Sequence, residues 1–254
     1  MAAGPPDGES CSPSAGQFPE GSQCLSGGTP PGPPAEAAGV FGDALEQARL
    51  YRELLATDGV TRGLIGPRET ERLWDRHLLN CAVVAELLPE RGVLVDIGSG
   101  AGLPGVVLAM LQPSLDVILL EPLLRRSAFL EECVATLGLS NATVVRARAE
   151  DKAAAHIRAD IATARAVAPL DRLVGWAARL LRPGGELLAI KGQSAGEEIE
   201  AARGVLSRLG VVSAEVLQAG HGRVVSATTV VRVVMGEHGR EERAGAQRSR
   251  RGVA

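Results

Sequence analysis

Between residues 93 and 210 the hydrophobic period of the chain switches repeatedly, and this alternation limits it to few folds. VLVDIG (93–98), DVILLEP (116–122), ATVVRARAED (142–151), ADIATARA (159–166) and ELLAIKG (186–192) are short apolar runs that read as strands. LPGVVLAMLQP (103–113), RRSAFLEECVATLGL (125–139), LDRLVGWAARLLRPGG (170–185) and EEIEAARGVLSRLG (197–210) carry apolar residues at helical spacing. Strands alternating with helices predict an α/β fold with a mostly parallel sheet covered on both faces. VVSAEVLQ (211–218) and TTVVRVVM (228–235) have no helix between them. They must pair locally, so one of them is expected to run antiparallel at the sheet edge.

Ahead of the first strand, FGDALEQARLYRELLAT (41–57) and ETERLWDRHLLNCAVVAELLP (69–89) read as helices, with a break at DGVTRGLIGP (58–67). Residues 41–89 are therefore an N-terminal helical extension to a core at 90–236. Residues 1–40 are rich in Gly, Pro and Ser and include TPPGPP (29–34), which forms neither helix nor strand. Such a segment lacks the apolar surface to offset ordering entropy, so a disordered tail is expected. The Arg-rich stretch 237–254 is expected to be a flexible tail.

The formal net charge of −3 disfavours a non-specific nucleic-acid coat but leaves room for a local basic site. The acidic residues of 1–40 stand without any Lys or Arg, so the body between the tails is near neutral. Cys11, Cys24, Cys81 and Cys133 form no C-x-x-C pair, which argues against a zinc site or a disulfide framework. Cys81 and Cys133 lie in apolar helical patterns and are expected to be buried thiols; Trp74 and Trp176 are expected in the core. No metal is expected. No apolar run approaches about 18 residues, so neither a signal peptide nor a membrane span is expected and the cytoplasm is the simplest location.

The turn Asp96-Ile97-Gly98-Ser99-Gly100-Ala101-Gly102 follows the first strand, at the edge where doubly wound sheets bind ligands. A dinucleotide site asks for G-x-G-x-x-G, with its third glycine at 103, but that residue is Leu103. The pattern D-x-G-x-G-x-G suits a ligand without pyrophosphate but with a cationic amino-acid part, which is S-adenosylmethionine (SAM). Asp96 can attract its positive end, and Glu121, ending the next strand, can accept both ribose hydroxyls. RAED (148–151) and LLRPGGELLAI (180–190) stand where SAM-dependent methyltransferases carry adenine contacts and a helix-PGG-strand element.

DRHLLN (75–80), VDIGSGAGLPGVVLA (95–109), LLEPLLRRSAFL (119–130), RAED (148–151), ATARAVAPL (162–170) and AIKGQ (189–193) together resemble the bacterial glucose-inhibited division protein B family. These are small-subunit (16S) rRNA guanine-N7 methyltransferases. The resemblance implies a Rossmann-like class I SAM-dependent methyltransferase fold. It also implies SAM as methyl donor and N7 of a guanine near the decoding site as acceptor. It places cofactor contacts at Gly98, Leu103, Ala149, Glu150 and Arg165; the turn reading adds Asp96, Gly100, Gly102 and Glu121. Two departures stand out. LLATDGVTRGLIGP (54–67) replaces the family's Trp-Asn…Asn-Leu-Thr segment, and Asn80-Cys81 replaces its Asp-Ser.

Guanine N7 carries a free lone pair, so its methylation needs alignment rather than a general base, and no catalytic base is assigned. RNA needs cations and an extruded base. Arg76, His77, Arg125, Arg126 and Lys191 are the candidate grips, with Arg165 placed to serve as well. The 16S rRNA or the small subunit is the expected partner, and the chain is expected to act as a monomer. Two alternatives remain open: a SAM-dependent methyltransferase of another RNA or a small molecule, and an RNA-binding module without catalysis.

Overall fold

A computed structural model describes Met1 and residues 32–237. Apart from Met1, these residues belong to one compact unit of the chain. The expectations for the tails at 1–31 and 238–254, with Cys11 and Cys24, lie outside the described residues.

Seven strands form one sheet: β1 (Gly92–Ile97), β2 (Leu115–Leu120), β3 (Ala142–Val145), β4 (Ala159–Arg165), β5 (Leu181–Ile190), β6 (Val211–Ala219) and β7 (Thr228–Met235). Their order is β3-β2-β1-β4-β5-β7-β6. β1 to β5 run parallel, β7 lies antiparallel against β5, and β6 is antiparallel to β7. The expected antiparallel strand is thus β7, and it sits one place in from the edge. Its Val230, Val231 and Val233 are fully buried, whereas β6 exposes Ser213, Glu215 and Gln218. The more apolar strand takes the covered place and the amphipathic one faces water.

Helices cover both faces. α4 (Gly105–Leu111) and α5 (Leu124–Leu137) pack on one face, together with the N-terminal extension, over Leu94, Leu119 and Ile161. α6 (Leu170–Leu180) and α7 (Ala195–Arg208) pack on the other, over Val95, Ala162 and Leu187. α5 ends where the amide of Gly138, in the left-handed region at φ 64°, bonds Ala135 O and that of Leu139 bonds Val134 O. Such a glycine cap satisfies carbonyls that the helix itself leaves open.

The extension begins earlier than expected. α1 (Ala35–Phe41) buries Ala37 and Val40, so residues 35–40 are helical rather than part of a tail. α2 (Leu45–Leu54) continues through a π-type turn (Leu55–Gly59) into residue 61, past the expected break at 58. Buried Leu55 anchors that continuation, and the Thr57 and Thr61 hydroxyls donate back to Glu53 O and Thr57 O. The break falls at Gly63, in the left-handed region at φ 66°. Residues 67–87 form the second helical stretch: a 3-10 turn (Pro67–Arg72), a π-type segment (Leu73–Leu79), α3 (Asn80–Ala82) and a 3-10 turn (Val83–Leu87).

Two other boundaries moved. β3 stops at Val145, not 151, because the Ala147 amide folds back to Val145 O and the Arg148 amide to Asp151 Oδ2. The Pro183-Gly184-Gly185 segment does not merely stop α6. β5 starts at Leu181, opposite Ala159, and the glycines form an irregularity within it, with Gly184 at φ 73°. Cys81, Cys133 and Trp74 are buried, and Trp176 packs half-buried against the α6–α7 core.

Candidate functional site

β2 lies on one side of β1 and β4 on the other, so the strand order reverses at β1. Connections from the carboxyl ends of β1, β2 and β4 splay apart there, where open α/β sheets bind ligands. A cavity of about 490 Å³ opens between them. Gly98, Ser99, Gly100, Ala101 and Leu103 line it from the turn after β1. Glu121, Pro122, Leu123 and Arg126 come from the connection after β2, and Arg165, Ala166 and Val167 from the end of β4. The extension closes it with Leu64, Ile65 and His77.

The glycines are placed for close backbone approach. Gly98, Gly100 and Gly102 have φ of 69°, 59° and 95°, values that L side chains rarely adopt. A side chain at Gly98 would press on Val167, and one at Gly102 would strike the Tyr51 hydroxyl. That hydroxyl is fully buried and donates to Ala101 O at 2.6 Å, so α2 of the extension holds the turn from beneath.

Two acids support the turn in different ways. Glu121 is 1% exposed; its Oε2 accepts from the Gly100 amide and its Oε1 from the Leu123 amide, each at 3.0 Å. It lines the cavity as a rigid acceptor. Asp96 lies beneath the turn and outside the cavity lining. Its Oδ2 accepts from the Gly105 amide at 3.0 Å, while its Oδ1 has no partner. Burial pushes its carboxyl up to about 7. The neighbouring strand residue Thr163, in register with Asp96, likewise keeps its buried hydroxyl without a partner.

These contacts decide between the two cofactor classes. A pyrophosphate needs free amides at the helix N-terminus. Here the first amide of α4 is already taken by a carboxylate, and a second carboxylate faces the turn through Gly100. A sugar edge of hydroxyl donors fits Glu121, and a bare glycine backbone admits a flat adenosyl group beside it. A ribose acceptor serves both classes; the Gly105 amide, already taken by Asp96, is what favours SAM over a pyrophosphate-bearing dinucleotide.

The cavity brings together Gly98, Gly100, Leu103, Glu121, Arg126, His77 and Arg165. It does not include Asp96, Gly102, Ala149, Glu150, Arg76, Arg125 or Lys191 among its lining. Ala149 is buried and Glu150 exposed in the loop after β3, on the same edge of the sheet. Arg125 is exposed at the start of α5, and Arg76 is exposed with its Nη1 3.4 Å from Glu69 Oε1.

Lys191, expected as an RNA grip, is otherwise engaged. Its Nζ donates to Glu198 Oε2 at 2.7 Å and Ala168 O at 2.9 Å, and Glu198 Oε2 also accepts from the Leu170 amide. The ammonium pins the β4–α6 connection to α7 through two fixed acceptors, Glu198 Oε2 and Ala168 O. Asn80 is also turned inward: its Nδ2 donates to Thr228 Oγ1, which donates in turn to Asn80 O, each at 2.8 Å.

His77 is buried. Its Nδ1 accepts from Arg165 Nη2 at 2.5 Å, and its Nε2–H donates to Glu69 Oε2 at 2.9 Å. Burial and the Arg165 cation hold the imidazole below its ordinary value. Arg165 Nη1 reaches Cys81 Sγ at 3.3 Å. The next residue, Ala166, is the one described non-glycine residue at positive φ, 54°. Strain of that kind persists where the surroundings over-determine it.

Leu64, Ile65 and Tyr51 were not singled out from the sequence. Leu64 and Ile65 come from the divergent 54–67 segment and looked like part of a break. The helical spacing of 41–57 held the only available signal for Tyr51.

The family model described as GidB, rRNA small subunit methyltransferase G, matches residues 44–225. The chain belongs to this family. The match spans the extension from residue 44 and the sheet through β6, so the methyltransferase G family takes in every residue that lines the cavity. Ribosomal RNA small subunit methyltransferase G of Thermobifida fusca is 59% identical over 203 residues, 80% of this chain and 85% of that protein. The protein of the same name from Streptomyces coelicolor is 55% identical over 204 residues, 80% of this chain and 85% of its own. Among solved structures, a candidate S-adenosyl-L-methionine-dependent methyltransferase of Methanococcus maripaludis aligns with a TM-score of 0.52 at 15% identity. It covers 74% of this chain and 94% of its own, a likeness of fold.

Proposed function

We propose that this chain transfers the methyl group of SAM to N7 of a guanine in 16S rRNA near the decoding site. The observation that carries the reading is the pairing of a bare glycine turn with buried Glu121 at the β1–β4 switch, in a chain of the methyltransferase G family. SAM supplies an electrophilic methyl on a positively charged sulfur. Glu121 is positioned to accept the ribose hydroxyls, and Gly98 and Gly100 leave room for the rest.

Neither acid–base group at the cavity is left over as a proton acceptor for a substrate: Glu121 accepts two backbone amides and faces the ribose, and His77 Nδ1 accepts from Arg165. This suits a nucleophile with a free lone pair, whose attack needs orientation and no proton removal. Arg126 lines the cavity beside half-exposed Leu123 and Val167, a rim matched to an extruded base and its phosphates, while Arg165, at the end of β4, lines it as a contact for the cofactor. Arg76 and Arg125 extend the cationic surface outward, and Ala149 and Glu150 complete the adenine end. On this reading the chain acts as a monomer on rRNA in the cytoplasm.

The test is to map N7-methylguanine in 16S rRNA from cells with and without the gene. Loss of one modified guanine in the deletion strain, restored by the wild-type gene, is the expected result. An unchanged modification pattern sinks the proposal.

A further inference from the structure

We propose that His77 is a positioning residue that fixes the Arg165 guanidinium at the cavity, and that it does so through the acceptor lone pair of its Nδ1, with Glu69 holding the ring from behind. The inference rests on the SAM-site reading given above and assigns roles that this reading leaves open. His77 was expected to grip RNA, but neither ring nitrogen is available for it.

Three elements converge on the imidazole. Glu69 comes from the 3-10 turn Pro67–Arg72, His77 from the π-type segment Leu73–Leu79, and Arg165 from the last position of β4. The two contacts dictate the tautomer. A carboxylate can only accept, so Nε2 facing Glu69 Oε2 must carry the proton. A guanidinium can only donate, so Nδ1 facing Arg165 Nη2 must be bare. A protonated imidazole would turn an N–H against an N–H at 2.5 Å and break the chain at Arg165.

The arrangement holds an otherwise long, flexible side chain. Arg165 has one terminal nitrogen on His77 and the other within reach of Cys81 Sγ, both on the extension, leaving its other N–H donors for the cavity that it lines. The charged groups facing His77 are Arg165 from β4, Glu69 from the 3-10 turn and Arg76 from its own segment. Arg76 Nη1 lies 3.4 Å from the other Glu69 oxygen, so it steadies that carboxylate against the surface.

The two ring positions can be separated. His77→Asn places an amide oxygen where Nδ1 stood and keeps the acceptor for Arg165. His77→Gln places its amide where Nε2 stood and keeps only the reach to Glu69. SAM affinity by calorimetry should fall on the order of tenfold in His77→Gln, the size of one lost charge-assisted hydrogen bond. It should stay within about threefold of wild type in His77→Asn, a difference of under about 1 kcal/mol.

In wild type, SAM affinity should weaken as pH falls through the His77 pKa, and His77→Asn should lack that acid limb. Nitrogen-15 NMR of the ligand-free protein should show a protonated Nε2 and a bare Nδ1. The His77 pKa should rise in Arg165→Met. The proposal is overturned if His77→Gln binds SAM as wild type does, if His77→Asn falls as far as His77→Gln, or if Arg165→Met leaves the His77 pKa where it was. A wild-type protein that bound no SAM would instead overturn the site reading, so the two failures are distinguishable. The wild-type pH titration and NMR need no variant to fold.

Discussion

At the scale of single residues, the turn after β1 concentrates the constraints. Gly98 combines a left-handed φ with Val167 side-chain atoms 3.0 Å from where a Cβ would sit. Gly98→Val should therefore weaken SAM binding by more than about tenfold, since the backbone strain alone is ~1–2 kcal/mol. Calorimetry with a parallel circular-dichroism check measures this, and unchanged affinity refutes the placement of the cofactor.

Asp96 makes a pH prediction. Its folded-state value of about 7 lies above its ordinary one, so the protonated form favours the folded state. The stabilisation is complete below about pH 4 and is lost as pH rises toward 7, at up to about 1.4 kcal/mol per pH unit. Asp96→Asn removes that component. Denaturant melts of the ligand-free protein from pH 5 to 7.5 should show a shallower pH slope for Asp96→Asn than for wild type. Equal slopes would mean that Asp96 is ionised in the folded chain throughout.

At the scale of elements, α2 and the cofactor turn form one device. Tyr51 is fully buried, and its hydroxyl is the donor on Ala101 O at 2.6 Å, between residues 50 positions apart. Tyr51→Phe keeps the ring and removes that donor. It should destabilise the protein by about 1 kcal/mol, the net worth of one part-buried hydrogen bond. Chemical denaturation reads the difference; a variant as stable as wild type would show that water replaces the hydroxyl.

Element boundaries also show how far local pattern reaches. Alternating periods located all seven strands, and Leu103 in place of a third glycine separated the cofactor classes. The places where pattern failed share one cause. Residues 35–40 look like tail until Ala37 and Val40 find Phe41 and the extension core; residues 58–61 look like a break until Leu55 anchors them. Tertiary burial overrides weak local preference.

At the scale of the whole molecule, the extension is part of the sheet's cover. Phe41, Tyr51, Leu55, Leu73 and Leu78 share one core with Leu94 of β1, Leu119 of β2 and Val107 of α4. Removing residues 1–66 would strip buried Phe41, Tyr51 and Leu55 from this core, each loss costing about 2–5 kcal/mol. Such a truncated chain should be insoluble or lack a cooperative melt. A soluble truncation with a wild-type Tm would make the extension an appended arm instead. Among the described residues no helix is long and apolar enough to cross a membrane.

The sequence by itself determined the α/β alternation, the extension, the glycine turn with its acid on each of two strands, and the cofactor class. Those are properties of short windows, set by side-chain period and by where backbone must pass without a Cβ. What each polar residue does was decided by tertiary structure. Asp96 supports the turn from beneath through the Gly105 amide, and Lys191 ties the β4–α6 connection to α7; neither contact shows in the sequence. His77 meets Arg165 across 88 residues of chain and Glu69 across eight. A charge on a sequence shows neither its burial nor its partners. Both arise when separate elements pack, and the environment they create sets whether the group is neutral, paired or free.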